Sequence, residues 1–369
     1  MVAQIITMCY YDRDVVCRRM AGMIAQVFRR RGDPMLLNRL ITVTAQGTSR
    51  LIGRAVICGT LGWLVAVVCV DAAQGRRLKI LTTVAPLTNI VKNVGGPYIE
   101  VHGIIPGGTD SHTFEPAPSD VKHIVEADLI ILNGLSLEVP TERLALANKT
   151  PQARIIKLGD QTIAPDEYVF DRSFPKAAGH PNPHLWINPL YAARYAELVR
   201  DALVELDPAN AAHYRQRTEE YTARLHALDR AIAKAVTTIP PRHRKLLTYH
   251  DSFAYFAPRY GFVVIGAIEP ASFSEPSPRD VARVIQQLRE EKVPAIFGSE
   301  VFPSKVLDQI AQEAEVQFVA TLRDDDLPGA PGAPEHSYIG MMLENVRTIV
   351  TALGGRGDAL TDIDPADIP

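Results

Sequence analysis

Residues 208–240 read "PANAAHYRQRTEEYTARLHALDRAIAKAVTTIP", and the architecture turns on whether this stretch is a linker or a helix. Flexible linkers are rich in glycine and serine; this one contains neither. Pro208 follows Asp207 in the position favoured for a first helical turn, and Pro240-Pro241 end the run. Tyr214, Tyr221, Leu225, Leu228 and Ile232 recur at helical spacing and predict one buried face. About 30 residues at 1.5 Å each give a helix of roughly 45 Å. The expectation is a stiff helix over 208–238 whose flanks move little against each other.

Both flanks alternate strand and helix signals. Before the helix come "LKILTTVAP" from Leu78, then "LTNIVKNVGG", "IEVHGIIP", "SDVKHIVEA" and "DLIILNG". After it come "KLLTYH" from Lys245, then "FVVIGAI", "PRDVARVIQQLREEKV", "AIFGSE", "SKVLDQIAQEAEV" and "QFVATL". Apolar runs separated by helices imply parallel sheets covered on both faces. The fold class is therefore α/β: two Rossmann-like lobes, 77–207 and 239–369, joined by one long rigid helix at 208–238.

The N-terminal 76 residues do not fit either lobe. Residues 55–70, "AVICGTLGWLVAVVCV", carry no charge, follow Arg50 and Arg54, and lead into "VDAAQG". That is the layout of a secretory signal around 50–72, with cleavage after Ala72. Sixteen uncharged residues are short for a membrane span of ~20. Cys69 is where a lipid anchor would sit, so two fates stay open. Met1–Ser49 lies upstream of that signal and is read as an extension outside the working protein. All four cysteines, Cys9, Cys17, Cys58 and Cys69, lie in this region, so a metal site in the body must use His, Asp or Glu. A net charge of −3 implies no general attraction to nucleic acid or to an anionic membrane.

Four segments place such residues at strand ends or in proline-framed loops. "GTDSHTFEPAPSD" carries His112, "GHPNPHLWINP" carries His184, "LLTYHDSFAYF" carries His250, and "VATLRDDDLPG" carries Asp324, Asp325 and Asp326. In open α/β sheets ligands bind beyond the carboxyl ends of strands. Imidazole and carboxylate without sulfur suit Zn(II), and also Mn(II) or Fe(II). Spacing alone is weak, because no local HExxH-type pattern is present. Glu300, in "FGSEVF", faces the same cleft by topology and is a candidate to brace a ligand histidine.

Read together, "GTDSHTFEPAPSD", "NPHLWINP", "LTYHDSFAYFAPRYG" and "HSYIGMMLENVRTIV" resemble the solute-binding proteins of bacterial zinc and manganese ABC importers, over roughly residues 77–354. The resemblance implies one Zn2+ or Mn2+ per chain, held by His112, His184, His250 and an aspartate. The family pattern has leucine three before that aspartate and an apolar residue two after, so Leu322 and Leu327 select Asp325. Counting back from Ser337-Tyr338 selects Asp326 instead. The resemblance further implies delivery of the ion to a membrane permease of an ABC importer, a periplasmic or cell-surface location, a monomer, and no enzymatic activity. Some members have glutamate as the third ligand and tend towards manganese; His250 tilts the reading to zinc. Zinc-dedicated members often carry a His-rich loop before the second ligand, whereas here His180 alone precedes His184. Two other readings remain: a zinc-dependent hydrolase with a three-His site and Glu300 or an aspartate as base, and an adhesin using the same scaffold. His102, His123, His213, His226, His243 and His336 are read as structural or solvated.

Overall fold

The computed structural model describes residues 76–269, 276–301 and 305–369, without the side chains of 320 and 321. The readings placed on the first 75 residues (the extension 1–49, the signal at 50–72, cleavage after Ala72, a lipid on Cys69) lie outside the described residues. Arg77–Pro369 forms one compact unit. Among the described residues, no helix is long and apolar enough to cross a membrane.

The first sheet contains β1 (Leu78–Thr82), β2 (Ile99–Gly103), β3 (Leu129–Leu132) and β4 (Arg154–Lys157), all parallel, in the order β2-β1-β3-β4. Every residue of the central strand β3 is buried, while the edge strand β2 alternates buried or half-buried with exposed. A central parallel strand covered on both faces needs a continuous apolar run; an edge does not. Helices α1 (Ala85–Gly95), α2 (Val121–Glu126), α3 (Val139–Asn148) and α4 (Pro189–Leu206) complete this lobe.

The second sheet repeats the plan. Strands β5 (Lys245–Thr248), β6 (Val263–Ala267), β7 (Ala295–Ser299) and β8 (Gln317–Leu322) are parallel, in the order β6-β5-β7-β8. Its helices are α6 (Phe256–Tyr260), α7 (Pro278–Glu291), α8 (Lys305–Ala314) and α9 (Tyr338–Ala352). The α/β class with two parallel sheets is thus the observed architecture.

Between the lobes runs α5 (Ala211–Thr237), 27 residues and so about 40 Å long. It starts later than Pro208, because Pro208–Asn210 form a 3-10 turn first. Asp207 serves that turn through its carboxylate, which accepts from Asn210 Nδ2 and Tyr214 OH at 2.7 Å each. The expected stripe is buried: Tyr214, Tyr221, Leu225, Leu228 and Ile232 are all at most 1% exposed. The helix packs on α1 and α4 of one lobe and on α6 and α9 of the other. Asp229 on the same face takes Arg259 and Tyr260 of α6.

One apolar core runs from Ile80 through α5 to Ile368, and a smaller one lies under α7 and α8. The C-terminal segment crosses back to the first lobe. Asp367 accepts from Asn89 and Asn93 of α1, and Arg217 and Arg224 of α5 hold carbonyls of Ala366 and Ile368. These bonds fasten the far end of the chain to the first lobe and the linking helix.

Candidate metal centre

The three histidines arrive from three different loops. His112 lies after β2, on a loop whose start is fixed when Ile104 N donates to Thr82 O at the end of β1. Asp110 then accepts from His112 N at 2.9 Å and from Thr113 Oγ1 at 2.7 Å, closing a tight polar turn around the imidazole. His184 follows β4, and His250 comes two residues after β5 ends. His184 is fully buried and His250 is 3% exposed; His112 is half-buried.

Their Nε2 atoms form a triangle with sides of 3.2 Å (112–184), 3.0 Å (112–250) and 3.0 Å (184–250). Three nitrogens on a tetrahedral ion with Zn–N bonds of ~2.0–2.1 Å stand about 3.3 Å apart. The far side of two rings is braced. His184 Nδ1–H donates to Asn182 Oδ1 at 2.9 Å, and His250 Nδ1–H donates to Glu269 Oε2 at 2.6 Å. Those acceptors take the Nδ1–H, so it is the Nε2 edge of each ring that faces the centre. His112, His184 and His250 are the group of ligand-type side chains that the structure brings together.

The aspartates stand beside this group without being members of it. Asp324 and Asp325 are buried at 4% and 7% exposure, while Asp326 is less so. Asp325 Oδ2 accepts Ser111 N at 3.0 Å, tying the second lobe to the His112 loop. Its Oδ1 is buried with no hydrogen-bond partner, as is Oδ1 of Asp324. A buried carboxylate oxygen without a donor is costly unless a cation satisfies it. Asp326 is engaged otherwise: Oδ1 accepts Leu327 N at 2.8 Å, and the carboxylate lies against Gly107.

Glu300 does not brace a histidine. Its Oε1 accepts the backbone N–H groups of Asp324, Asp325 and Asp326 at 2.9, 3.0 and 3.2 Å. It therefore shapes the aspartate loop from the neighbouring strand end, and that oxygen is committed. The residue that does brace His250 is Glu269, 1% exposed at the end of "FVVIGAIE". Its only sequence signal is one carboxylate closing an apolar strand.

The electrostatics follow from these contacts. Burial, then the nearby His250, hold His112 well below the usual histidine range; burial with both neighbours does the same to His184. For His250, burial pulls down, but the Glu269 bond and the charges of Asp324, Glu269 and Asp325 together lift it to about 9. Burial and the charge of Glu300 push Asp325 up to about 7, against the Ser111 N–H. Burial, Glu300 and Asp325 raise Asp324 well above the carboxylate range. The centre thus concentrates lone pairs and carboxylates in a dry space, an arrangement that a divalent cation relieves. It is poorly suited to hydrolysis: His184 and His250 are shut from solvent, and Glu300 is already occupied.

Among the other histidines, His180 is exposed and outside the cluster. His336 Nδ1 donates to Pro328 O at 3.0 Å and steadies its own loop. His102 and His123 stack on each other at 3.8 Å on the surface of the first lobe, and His213 packs on Tyr98.

Comparison with known proteins matches residues 80–352 to the family model described as zinc-uptake complex component A, periplasmic. The iron-binding protein YfeA of Yersinia pestis is 30% identical over 279 residues, covering 76% of this chain and 87% of the relative. The manganese ABC transporter substrate-binding lipoprotein PsaA of Streptococcus anginosus is 28% identical over 288 residues, 77% of this chain and 91% of that one. Among solved structures, the periplasmic zinc-binding protein TroA of Treponema pallidum superposes with a TM-score of 0.69 at 28% identity, covering 76% of this chain and 99% of that chain.

Proposed function

The chain belongs to the zinc-uptake complex component A family, and from that membership and the convergence of three imidazoles we propose that it captures a divalent metal ion outside the cytoplasm and hands it to the permease of an ABC importer. The carrying observation is the triangle of Nε2 atoms at 3.0–3.2 Å, with two of its rings braced from behind. His112, His184 and His250 are the nitrogen ligands of this reading. Asp325 is the oxygen ligand, supported by the register that Leu322 and Leu327 select, by its buried Oδ1 without a partner, a feature it shares with Asp324, and by its bond to Ser111 beside His112; Asp326 is set aside because its carboxylate serves Leu327.

Three neutral nitrogens and one carboxylate make a closed four-donor set. The reading therefore favours Zn2+ over Mn2+, which prefers more oxygen donors. One ion per chain is expected, and one chain is the working unit, because every ligand comes from it. The same reading takes 77–207 and 239–369 as lobes about the 208–238 linker, with no nucleic-acid partner. It places the mature protein in the periplasm or at the cell surface, through the signal at 50–72 or a lipid on Cys69. Elemental analysis after dialysis, with zinc and manganese in competition, tests the site. One zinc per chain in preference to manganese is the expected result. Two or more tight ions, or none, would overturn it.

A further inference from the structure

Phe174 lies over the imidazole cluster from a loop that metal binding does not require. It is 7% exposed, and its ring centroid stands 5.4 Å from that of His112, 5.7 Å from His184 and 5.8 Å from His250. One apolar ring therefore walls off all three proposed ligands. Of the three imidazoles His112 is the most exposed, with His184 fully buried and His250 at 3%. On that side is a cavity of about 130 Å³ lined by His112, Ser173, Phe174, His180, Pro181 and Pro183. An ion moving between solvent and the cluster by way of His112 has to pass the edge of Phe174.

The backbone carrying this ring is a small turn clipped to the opposite lobe. Asp171 N donates to Phe174 O at 3.0 Å, and Phe174 N donates to Asp171 Oδ1 at 2.9 Å, so residues 171–174 move as a unit. The two residues between them reach across. Arg172 Nη2 pairs with Asp280 Oδ1 of α7 at 2.7 Å, and Ser173 donates from N to Asp251 Oδ2 and from Oγ to Glu269 O, each at 3.3 Å. The ion pair is about one-third exposed on both sides, which makes it a weak tether. The two Ser173 bonds are long. Asn182 Nδ2 also donates to Asp171 Oδ2 at 2.7 Å, so the turn is anchored at its first residue and crosses to the second lobe only through the weak contacts of Arg172 and Ser173, the build of a gate hinged at one end.

We propose that Phe174 is the gate of the metal centre and that the Arg172–Asp280 ion pair is its latch. This rests on the reading of the cluster as a metal site. The closed ring excludes water and so slows ligand exchange in both directions. Lifting the 171–174 turn exposes His112 and its ion to the cavity. A gate affects passage and not the bound state, so it acts on both rates and leaves the equilibrium nearly unchanged.

The test uses zinc as probe, with stopped-flow association and chelator-driven dissociation, on the whole protein and on Phe174→Ala, Phe174→Leu and Arg172→Gln. Phe174→Ala is expected to raise both rates by about tenfold or more while Kd shifts by less than about threefold. Arg172→Gln, a change at a pair about one-third exposed that leaves the core intact, should raise both rates several-fold. Phe174→Leu, which keeps an apolar cover, should fall between Phe174→Ala and the parent. Faster dissociation alone, with Kd weakened by the same factor, would make Phe174 a structural support of the ligands and overturn the gate. Unchanged rates in both Phe174→Ala and Arg172→Gln would overturn it as well. Zinc stoichiometry of the unaltered protein, measured first, judges the metal-site reading separately from these rates.

Discussion

In the first lobe His184 rests its Nδ1–H on the amide oxygen of Asn182; in the second, His250 rests its own on the carboxylate of Glu269. The two sheets have the same strand order, so this contrast comes from the loops and not from the scaffold. Its electrical consequence is opposite in sign. His184 and His112 are held well below the usual histidine range, whereas His250 is lifted to about 9 with Asp324 and Asp325 beside it. At neutral pH the first lobe offers two neutral imidazoles ready to ligate. The second offers an imidazole whose proton Glu269 and the neighbouring aspartates help to hold. On the proposed reading, capture exchanges that proton for a metal ion, and the exchange happens on one side of the cleft.

The largest expected effect comes from removing a ligand from either side. His184→Ala and His250→Ala should each weaken zinc affinity by more than the ~10–100-fold typical of losing a supporting partner. Asp325→Ala should cost less and act mainly through faster release, because water can replace a peripheral carboxylate. Asp326→Ala should leave affinity within about threefold of the parent, since that side chain serves Leu327. Chelator competition on the four variants checks the order. If Asp326→Ala released the ion quickly and Asp325→Ala did not, the aspartate assignment would move by one residue.

Next in size are the braces. Glu269→Gln keeps a hydrogen-bond acceptor for His250 but removes the charge; Asn182→Ala removes the acceptor behind His184. Each should lower affinity by about 10–100-fold. They should differ in pH dependence. Without the Glu269 charge, and with a weaker acceptor on its Nδ1–H, His250 loses part of its lift, and competition by protons above pH 7 should weaken. Asn182→Ala should leave that dependence in place. Matching pH profiles for the two variants would erase the contrast between the lobes.

The contrast was only partly legible in the sequence. His112, His184 and His250 stand out because each is framed by strand ends, glycines or prolines in recurring motifs, and the structure gathers them. The stripe on α5 was legible from spacing alone, since an i, i+3, i+4 pattern maps directly onto a helix face. Glu269 was not, because a lone carboxylate after an apolar strand has no periodicity to betray it. Glu300 was placed at the right cleft but given the wrong partner. Its oxygen reaches the loop after β8, the strand beside its own, and that pairing follows from strand order, which a sequence does not display. The return of Asp367 to Asn89 joins residues 278 positions apart, beyond any local pattern.

A smaller effect, read in protons, follows from the pKa values. Between about pH 7 and 9 a metal entering the site must displace the His250 proton, so affinity should rise roughly tenfold per pH unit. Near and below pH 7, Asp325, raised to about 7, adds a second proton to the competition, and the dependence should steepen. His112 and His184 add nothing until the solution is more acidic, because both are shifted downward. Above about pH 9 the curve should level off. Calorimetry of zinc binding in buffers of different ionisation enthalpy at pH 8 should give close to one proton released per ion. No release would mean that His250 is neutral beforehand, and that the lobes are electrically alike.

The smallest expected effect is on shape. Opposite charge states in two lobes invite the idea that loading pulls the lobes together, as in binders with flexible linkers. The packing argues otherwise. Helix α5 shares one apolar core with both lobes, and its buried face is fully occupied from Tyr214 to Val236. Asp229 binds Arg259 and Tyr260 of the second lobe, while the C-terminal segment bonds back to α1 of the first. A hinge motion would have to break these contacts together, whereas lifting the 171–174 turn breaks at most one ion pair, the Asn182–Asp171 hydrogen bond and two long hydrogen bonds from Ser173. Loading should therefore change the radius of gyration by less than about 1 Å, with the response confined to ligand loops. Small-angle scattering on stripped and zinc-loaded protein reads this directly. A contraction of several ångströms would show that the lobes do close, and the charge difference between them would then be the force that draws them in.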